Sequence, residues 1–220
     1  MQFNPYFPAI AAVASIAIVA PVARADSPLT STRFWEAYDD VEIVRHASEA
    51  QLDDRVMAAL SDPDVSHDVR AAIVNALGWQ FETTYNARQY LQYVAEQHDR
   101  PASELAIADL TAEETFALGY LLAMDDYFTM KAIGGEGEVM QTDALNLVEA
   151  AIDKDPKSLS IFLVRSLVRA QEEMDRVERW CGVYQGVDTA LKKYPFETDM
   201  RPEAVDIIMG YIEGYQDYCN

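Results

Sequence analysis

Histidine and cysteine are scarce in this sequence, which has three histidines and two cysteines among 220 residues. His46, His67 and His98 lie in three separate segments, no His-x-x-x-His pair occurs, and no cysteine is near any of them. A transition-metal site needs several convergent ligands at recognisable spacing. We therefore expect neither a metal site nor another cofactor.

Motifs for nucleophilic catalysis and phosphate binding are also missing. The sequence contains no Gly-x-Ser-x-Gly and no Ser-x-x-Lys. The glycine-rich loop at 134–137 lacks the Lys and Ser/Thr of a phosphate-binding loop. An enzyme with this sequence would have to use carboxylates alone, so we expect a protein without catalysis.

Signals for β-structure are few, because alternating Val/Ile/Thr runs are rare and no Asn-Gly or Asp-Gly occurs. Apolar residues instead recur at helical spacing. We predict an all-α protein of about eight to ten helices, arranged as a bundle of helical hairpins or a short α-solenoid-like array. Residues 26–220 would form one domain, with the glycine loop 134–137 as the candidate internal boundary.

Several helix starts are predicted from capping residues. The pairs that could form capping boxes are Ser48 with Gln51, Asn86 with Gln89, and Thr111 with Glu114. Pro202 suits the first turn of the last helix, where a missing backbone N–H has no cost.

The stretch from Ser158 to Cys181 has apolar residues at helical spacing and charged residues mostly off that stripe. We predict one long amphipathic helix that ends at Cys181, with Gly182 separating it from the next helix. Cys219 ends a second apolar stripe, on the last helix. Because both cysteines point towards packed faces, we predict a disulfide between them; the alternative is two buried free thiols.

Residues 1–25 have the features of a secretory signal peptide. Ala9 to Val19 is an apolar run too short and Ala-rich for a permanent membrane span, and Ala23-Arg24-Ala25 has the form of a cleavage site. Residues 1–8 contain no Lys or Arg, which departs from the usual pattern and leaves an uncleaved membrane anchor as the alternative. We expect cleavage after Ala25, a periplasmic or secreted protein, and no stable membrane insertion afterwards.

Acidic residues dominate the charge. The chain has 37 Asp and Glu against 17 Lys and Arg, a formal net charge of −20, and loss of Arg24 with the signal would make it −21. Such a charge repels nucleic acid and anionic membranes. It favours a protein partner with a basic surface, although a solvated acidic surface without a partner explains it equally well.

One stretch resembles a HEAT-type helical repeat. The residues that carry the resemblance are Leu60, Asp62-Pro63-Asp64, Val69-Arg70, Ala72 and Ala76-Leu77-Gly78. The match covers about residues 60–79 and departs from the family by two extra residues before Val69. The resemblance implies a helix–turn–helix unit of the kind that stacks into arrays.

The C-terminal segment resembles another family. Its residues Cys181, Gly182, Tyr184, Gly186 and Asp188, and Gly210, Tyr211, Gly214, Tyr215 and Asp217, are similar to the Cys/Gly-Tyr/Gly/Asp segments of Tai-type exported immunity proteins. The spacing from Cys181 to Gly186 departs from that pattern. The resemblance implies a helical, disulfide-bonded protein that binds a cell-wall-degrading toxin.

Two sets of residues are candidates for function. Tyr211, Tyr215 and Tyr218, together with Glu213 and Asp217, would form an aromatic and acidic contact surface on the last helix, unless the rings only close the core. The alternative site is a pocket near two acids within an apolar run, Asp125 and Asp126. Burial there would raise a carboxyl pKa. A pocket at this place would indicate a small-ligand-binding protein or an acid-only hydrolase.

Overall fold

The structure, a computed structural model, describes residues 27–49, 51–78 and 85–219, and every regular element in these ranges is helical. The predicted all-α class is therefore confirmed, whereas the predicted signal peptide lies outside the described residues. Among the described residues, no helix is long and apolar enough to cross a bilayer. The ten α-helices of these ranges are α1 Glu42–Glu49, α2 Asp54–Ser61, α3 His67–Leu77, α4 Asn86–Gln97, α5 Ala112–Asp125, α6 Glu138–Gln141, α7 Ala144–Lys154, α8 Leu159–Glu173, α9 Trp180–Lys193 and α10 Pro202–Ile212.

Short 3₁₀ helices connect several of the α-helices. They span Phe34–Tyr38, Ala102–Glu104, Ile107–Asp109, Val177–Arg179 and Glu213–Cys219. The last of these, called here the C-terminal 3₁₀ helix, directly continues α10.

Local capping chemistry sets several helix starts as predicted. Thr111 accepts a hydrogen bond from the backbone N–H of Glu114, whose carboxylate accepts one from the Thr111 N–H, so this capping box is confirmed. Ser158 likewise caps α8 by accepting from the N–H of Ile161. Pro202 is the first residue of α10, as predicted.

Two predicted capping pairs are wrong. Ser48 lies inside α1, where its hydroxyl donates to the Arg45 carbonyl, and the cap of α2 is Asp53, which accepts from the Val56 N–H. Asn86 is the first residue of α4 rather than its cap, and Tyr85 precedes it without a capping side chain. Each predicted capping residue is thus part of a helix: Ser48 belongs to α1, and Asn86 belongs to α4.

The predicted long helix from Ser158 to Cys181 is also wrong. Helix α8 ends at Glu173, the chain turns, and Cys181 belongs to the first turn of α9. The turn is stabilised locally, because the Trp180 indole N–H donates to the Met174 carbonyl at 3.3 Å and Arg179 pairs with Glu173 at 2.7 Å. Gly182 lies within α9 and does not separate two helices.

Helix α5 lies at the centre of the fold and packs against α2, α3, α4, α7 and α8. Its residues from Glu114 to Met124 are all buried. Gly119 permits the close approach of α7, since a Cβ atom there would lie 2.9 Å from the side chains of Leu147 and Val148. This glycine therefore brings α5 and α7 together, and the interior of the described chain forms one apolar cluster around them.

A buried arginine, Arg70, joins helices α2 and α3. Arg70 is 0% exposed. Its guanidinium donates to the carbonyls of Leu60 (2.8 Å) and Asp62 (2.7 Å), which lie where α2 ends and helical donors run out. Arg70 thus satisfies the Leu60 carbonyl and adds a second donor to the Asp62 carbonyl, which also accepts from the Val65 N–H.

Replacing Arg70 with Met should lower the free energy of unfolding by about 3 kcal/mol, because the buried Leu60 carbonyl loses its donor and the Asp62 carbonyl loses one of two. Urea denaturation measures the loss. The matched control is Arg55→Met, which removes an exposed pair with Glu42 and should cost less than about 1 kcal/mol. Equal losses at the two positions would contradict a structural role for the buried guanidinium.

His67 is held in one neutral tautomer beside Arg70. The guanidinium can only donate, so His67 Nδ1 accepts at 3.0 Å and the ring proton is on Nε2, which lies 3.2 Å from the Asp155 carboxylate. Burial lowers the pKa of His67, the Arg70 charge lowers it further, and Asp155 opposes them. The folded state therefore favours the uncharged imidazole.

This geometry predicts a loss of stability in mild acid. The unfolded chain takes up a proton at His67 near pH 6.5, whereas the folded chain does so only at lower pH, so stability falls as pH drops through and below about 6.5. In His67→Gln, the decrease in unfolding free energy between pH 7 and pH 5.5 should be smaller. An NMR titration that placed the His67 midpoint above about 6.5 would contradict the prediction.

Candidate functional site

The C-terminal segment is closed by the predicted disulfide. Cys181 in the first turn of α9 is bonded to Cys219 at the end of the C-terminal 3₁₀ helix, with Cα atoms 4.7 Å apart. The disulfide is therefore confirmed. The predicted setting of Cys219 on the last α-helix is corrected, because α10 ends at Ile212 and the chain continues as a tighter 3₁₀ helix.

Four aromatic side chains from α9, α10 and the C-terminal 3₁₀ helix contact one another and are called here the aromatic cluster: Trp180, Tyr211, Tyr215 and Tyr218. The Trp180 ring meets Tyr218 edge-on at 4.8 Å and Tyr215 edge-on at 5.7 Å, between centroids. The Tyr211 and Tyr215 hydroxyls are 2.8 Å apart and share a hydrogen bond. Edge-to-face contacts of this kind fix ring orientation and add to simple burial.

Only part of the aromatic cluster faces solvent. Tyr218 is 46% exposed, and Tyr211 and Trp180 are partly buried. Tyr215 is only 5% exposed, so its predicted role as an exposed anchor is corrected: it lies beneath Tyr218 and Trp180 and supports them. Sequence reasoning assigned Trp180 to a helix and missed it as a site residue, although its position next to Cys181 was a usable signal.

Acidic side chains accompany the exposed ring. Glu213 and Asp217 are both exposed on the C-terminal 3₁₀ helix that carries Tyr218. From residue 202 to residue 219 the chain has four acids, Glu203, Asp206, Glu213 and Asp217, and no Lys or Arg. The structure thus brings Tyr218, Glu213 and Asp217 onto one short element with a negative local charge.

The loop before α10 is fastened to the body of the fold. Asp199 accepts hydrogen bonds from the Ser158 hydroxyl (2.6 Å) and the Ser160 N–H (3.0 Å) at the start of α8. The Arg201 guanidinium lies 4.6 Å from the Tyr38 ring centre and pairs with Asp40. These contacts hold the start of α10 in place. The disulfide holds the end of the 3₁₀ helix that follows α10.

The two acids of the alternative site have structural partners. Asp125 accepts a hydrogen bond from the Ala87 N–H at 2.8 Å and thereby caps the first turn of α4. Asp126 ends α5 and accepts from both the N–H (3.2 Å) and the hydroxyl (2.5 Å) of Thr129. Asp125 therefore caps a helix start and Asp126 stabilises the turn that follows α5, roles that the sequence pattern could not distinguish from a pocket.

The three histidines each face a carboxylate in a different part of the fold. The pairs are His46 with Asp53 (2.8 Å), His67 with Asp155 (3.2 Å) and His98 with Glu114 (3.1 Å). Within the described ranges, no three potential His, Cys, Asp or Glu ligands converge on one point.

Fold and site together define an all-α, disulfide-linked acidic protein with an aromatic surface at its C-terminal segment. In comparisons, the chain matches no protein-family model, no curated protein and no solved structure. The resemblances to HEAT repeats and to Tai-type immunity proteins therefore stay predictions from short stretches.

The disulfide should contribute substantially to stability. Closing a loop with a sequence separation of 38 reduces the entropy of the unfolded chain, an effect of about 3–4 kcal/mol in the loop-closure model. Replacing Cys181 and Cys219 with Ser should lower the unfolding free energy by that amount, and reduction of the wild-type protein should have a similar effect. Thiol labelling of the unfolded, unreduced protein that found two free cysteines would contradict this prediction.

Proposed function

We propose that this chain is an exported, acidic, non-catalytic protein-binding module of the inhibitor or immunity type. The observation that carries the proposal is the half-exposed Tyr218, which lies on a disulfide-linked 3₁₀ helix that also bears the exposed acids Glu213 and Asp217. An aromatic anchor within a charged rim is a common composition of protein interfaces.

Rigidity supports this assignment. Tyr218 packs on Trp180 and Tyr215, and its helix is bonded to α9 through Cys219. A contact surface that is ordered before binding loses less conformational entropy when it binds. The disulfide-linked segment is thus suited to recognition in a way that a free chain end is not.

Charge supports a basic partner. Many of the arginines are engaged by neighbouring acids, as in Arg55 with Glu42, Arg165 with Glu149 and Arg179 with Glu173, which leaves a large acidic surplus at the surface. That surplus disfavours nucleic acid and anionic membranes and accelerates the encounter with a cationic surface. The partner we propose is therefore a protein with a basic surface.

Export is supported by the predicted signal peptide at residues 1–25 and by the disulfide, since disulfides form and persist in oxidising compartments. We propose a periplasmic or secreted location.

The rival function, a small-ligand binder or acid-only hydrolase at Asp125 and Asp126, is less favoured because both carboxylates already accept hydrogen bonds, from Ala87 and Thr129 respectively.

The binding proposal is tested on partners captured by the immobilised mature chain from the envelope or medium of its own organism. Tyr218→Ala should speed dissociation of the captured partner by about tenfold, as loss of an interface anchor does. Glu213→Lys should mainly slow association, by about two- to fivefold at low salt, and the wild-type affinity should fall as salt rises. Surface plasmon resonance separates the two rates.

Matched control variants distinguish a local surface from general charge and exposure. Phe128→Ala removes an aromatic side chain that is 74% exposed on another part of the fold. Glu136→Lys makes the same charge change as Glu213→Lys in the exposed glycine loop. If either control variant matched its counterpart at the C-terminal segment, or if binding were insensitive to salt, the proposed surface would be wrong.

A further inference from the structure

A groove lined by apolar and basic side chains lies between α8 and α9. Its volume is about 230 Å³, and its walls come from one face of each helix and from the residues that follow α9. From α8 they include Phe162, Arg165 and Ser166, spaced so that they share one helical face. From α9 they include Gly186 and Lys193, two turns apart.

Small residues open this groove. Ser166 is buried at its base, and its hydroxyl is satisfied by the Phe162 carbonyl at 2.9 Å. On the opposite wall, a Cβ atom at Gly186 would meet no heavy atom within 4 Å. The space beside Gly186 is therefore open, and the absence of a side chain at this position contributes to the groove.

Aromatic rings form a fixed apolar wall. Tyr194 meets Phe162 edge-on at 5.8 Å between ring centroids, and Phe196, 44% exposed, meets Tyr194 at 5.6 Å. The Tyr194 hydroxyl donates to the Lys157 carbonyl, which orients the ring. Burial, with smaller contributions from the negative charges of Asp199 and Asp155, raises the pKa of Tyr194 to about 12, so the Tyr194 hydroxyl is uncharged at neutral pH.

Two cations border this apolar wall, in a protein that is otherwise strongly acidic. Arg165 already binds Glu149, through Nη2 at 3.0 Å. Lys192 pairs with Asp188 at 2.9 Å, whereas the adjacent Lys193 forms no ion pair with any carboxylate of the described chain. Lys193 near the end of α9 also complements the helix dipole, but that role leaves its ammonium group able to bind an anion.

We propose that this groove binds a small organic monocarboxylate, with an aromatic or compact aliphatic body against Phe162 and Tyr194 and its carboxylate on Lys193. The positive charge of Lys193 favours a ligand with a negative charge. The aromatic wall favours a ligand whose remaining part is apolar. The volume is below the roughly 300 Å³ at which pockets for drug-sized ligands begin, so the ligand is about the size of one ring with a short chain.

The probe is 3-phenylpropionate, titrated into the mature protein and followed by amide NMR shifts of α8 and α9. We expect saturable binding with a Kd near the millimolar range, as for ligands of this size. The neutral isostere 3-phenylpropanamide should bind at least about fivefold more weakly, because it lacks the charge that Lys193 pairs with. Acetate, which lacks the apolar body, should bind more weakly still.

Variants locate the site. Gly186→Leu should abolish binding by filling the groove, whereas Gly210→Leu, the same change at an α10 glycine that also faces open space, should leave the Kd unchanged. Lys193→Gln should raise the Kd at least about fivefold, and Lys192→Gln should not. Circular dichroism checks that each variant folds.

Several results would overturn the proposal: no saturable shifts with 3-phenylpropionate, equal binding of the amide, or binding that Gly186→Leu and Lys193→Gln both leave intact. A peptide ending in phenylalanine that bound much more tightly than 3-phenylpropionate would also overturn it, in favour of a protein ligand. These outcomes are independent of the Tyr218 surface, because the readout requires no protein partner.

Discussion

The disulfide between Cys181 and Cys219 is the link on which the C-terminal part of the fold depends. The C-terminal 3₁₀ helix, Glu213–Cys219, is short and mostly exposed, so its own hydrogen bonds and burial contribute little to its stability. The covalent link holds it against the start of α9, where the Trp180 ring contacts the rings of Tyr215 and Tyr218. Helix α9 therefore contacts the aromatic cluster at its beginning and forms one wall of the groove between α8 and α9 towards its end.

The rest of the molecule has to remain folded despite a formal net charge of −20, since like charges at this density repel one another. Apolar burial around α5 supplies the main opposing stabilisation. Polar groups add specificity by pairing with helix ends: the buried Arg70 with the last carbonyls of α2, and the partly buried Asp199 with the first residues of α8. In this arrangement the few inward charges are satisfied by the backbone, and the acidic excess stays at the surface.

Much of the fold could be predicted because its signals are local. Thr111, Ser158 and Pro202 act within one helical turn. The disulfide was predicted from two apolar stripes, although the helices assumed for them end before Cys181 and Cys219. The end of α8 could not be predicted, because Met174 to Arg176 contain no Gly or Pro and the stripe continues across them. The turn after α8 is stabilised by contacts between residues six apart, the Trp180–Met174 hydrogen bond and the Arg179–Glu173 pair, which no single residue type in the sequence indicates. The burial of Tyr215 was equally undetermined, since its stripe leads both to the core and to the surface. The groove between α8 and α9 could not be predicted either, because it depends on how these two helices pack against each other.

The central claim, that the surface around Tyr218 contacts a protein partner, is tested most directly by site-specific photocrosslinking in the organism that makes this chain. A photoreactive phenylalanine analogue would replace Tyr218, with Phe128, the more exposed aromatic residue, as the control position. The account predicts a discrete covalent adduct with a basic protein from position 218 and none from position 128. No adduct from position 218, or the same adducts from both positions, would contradict it.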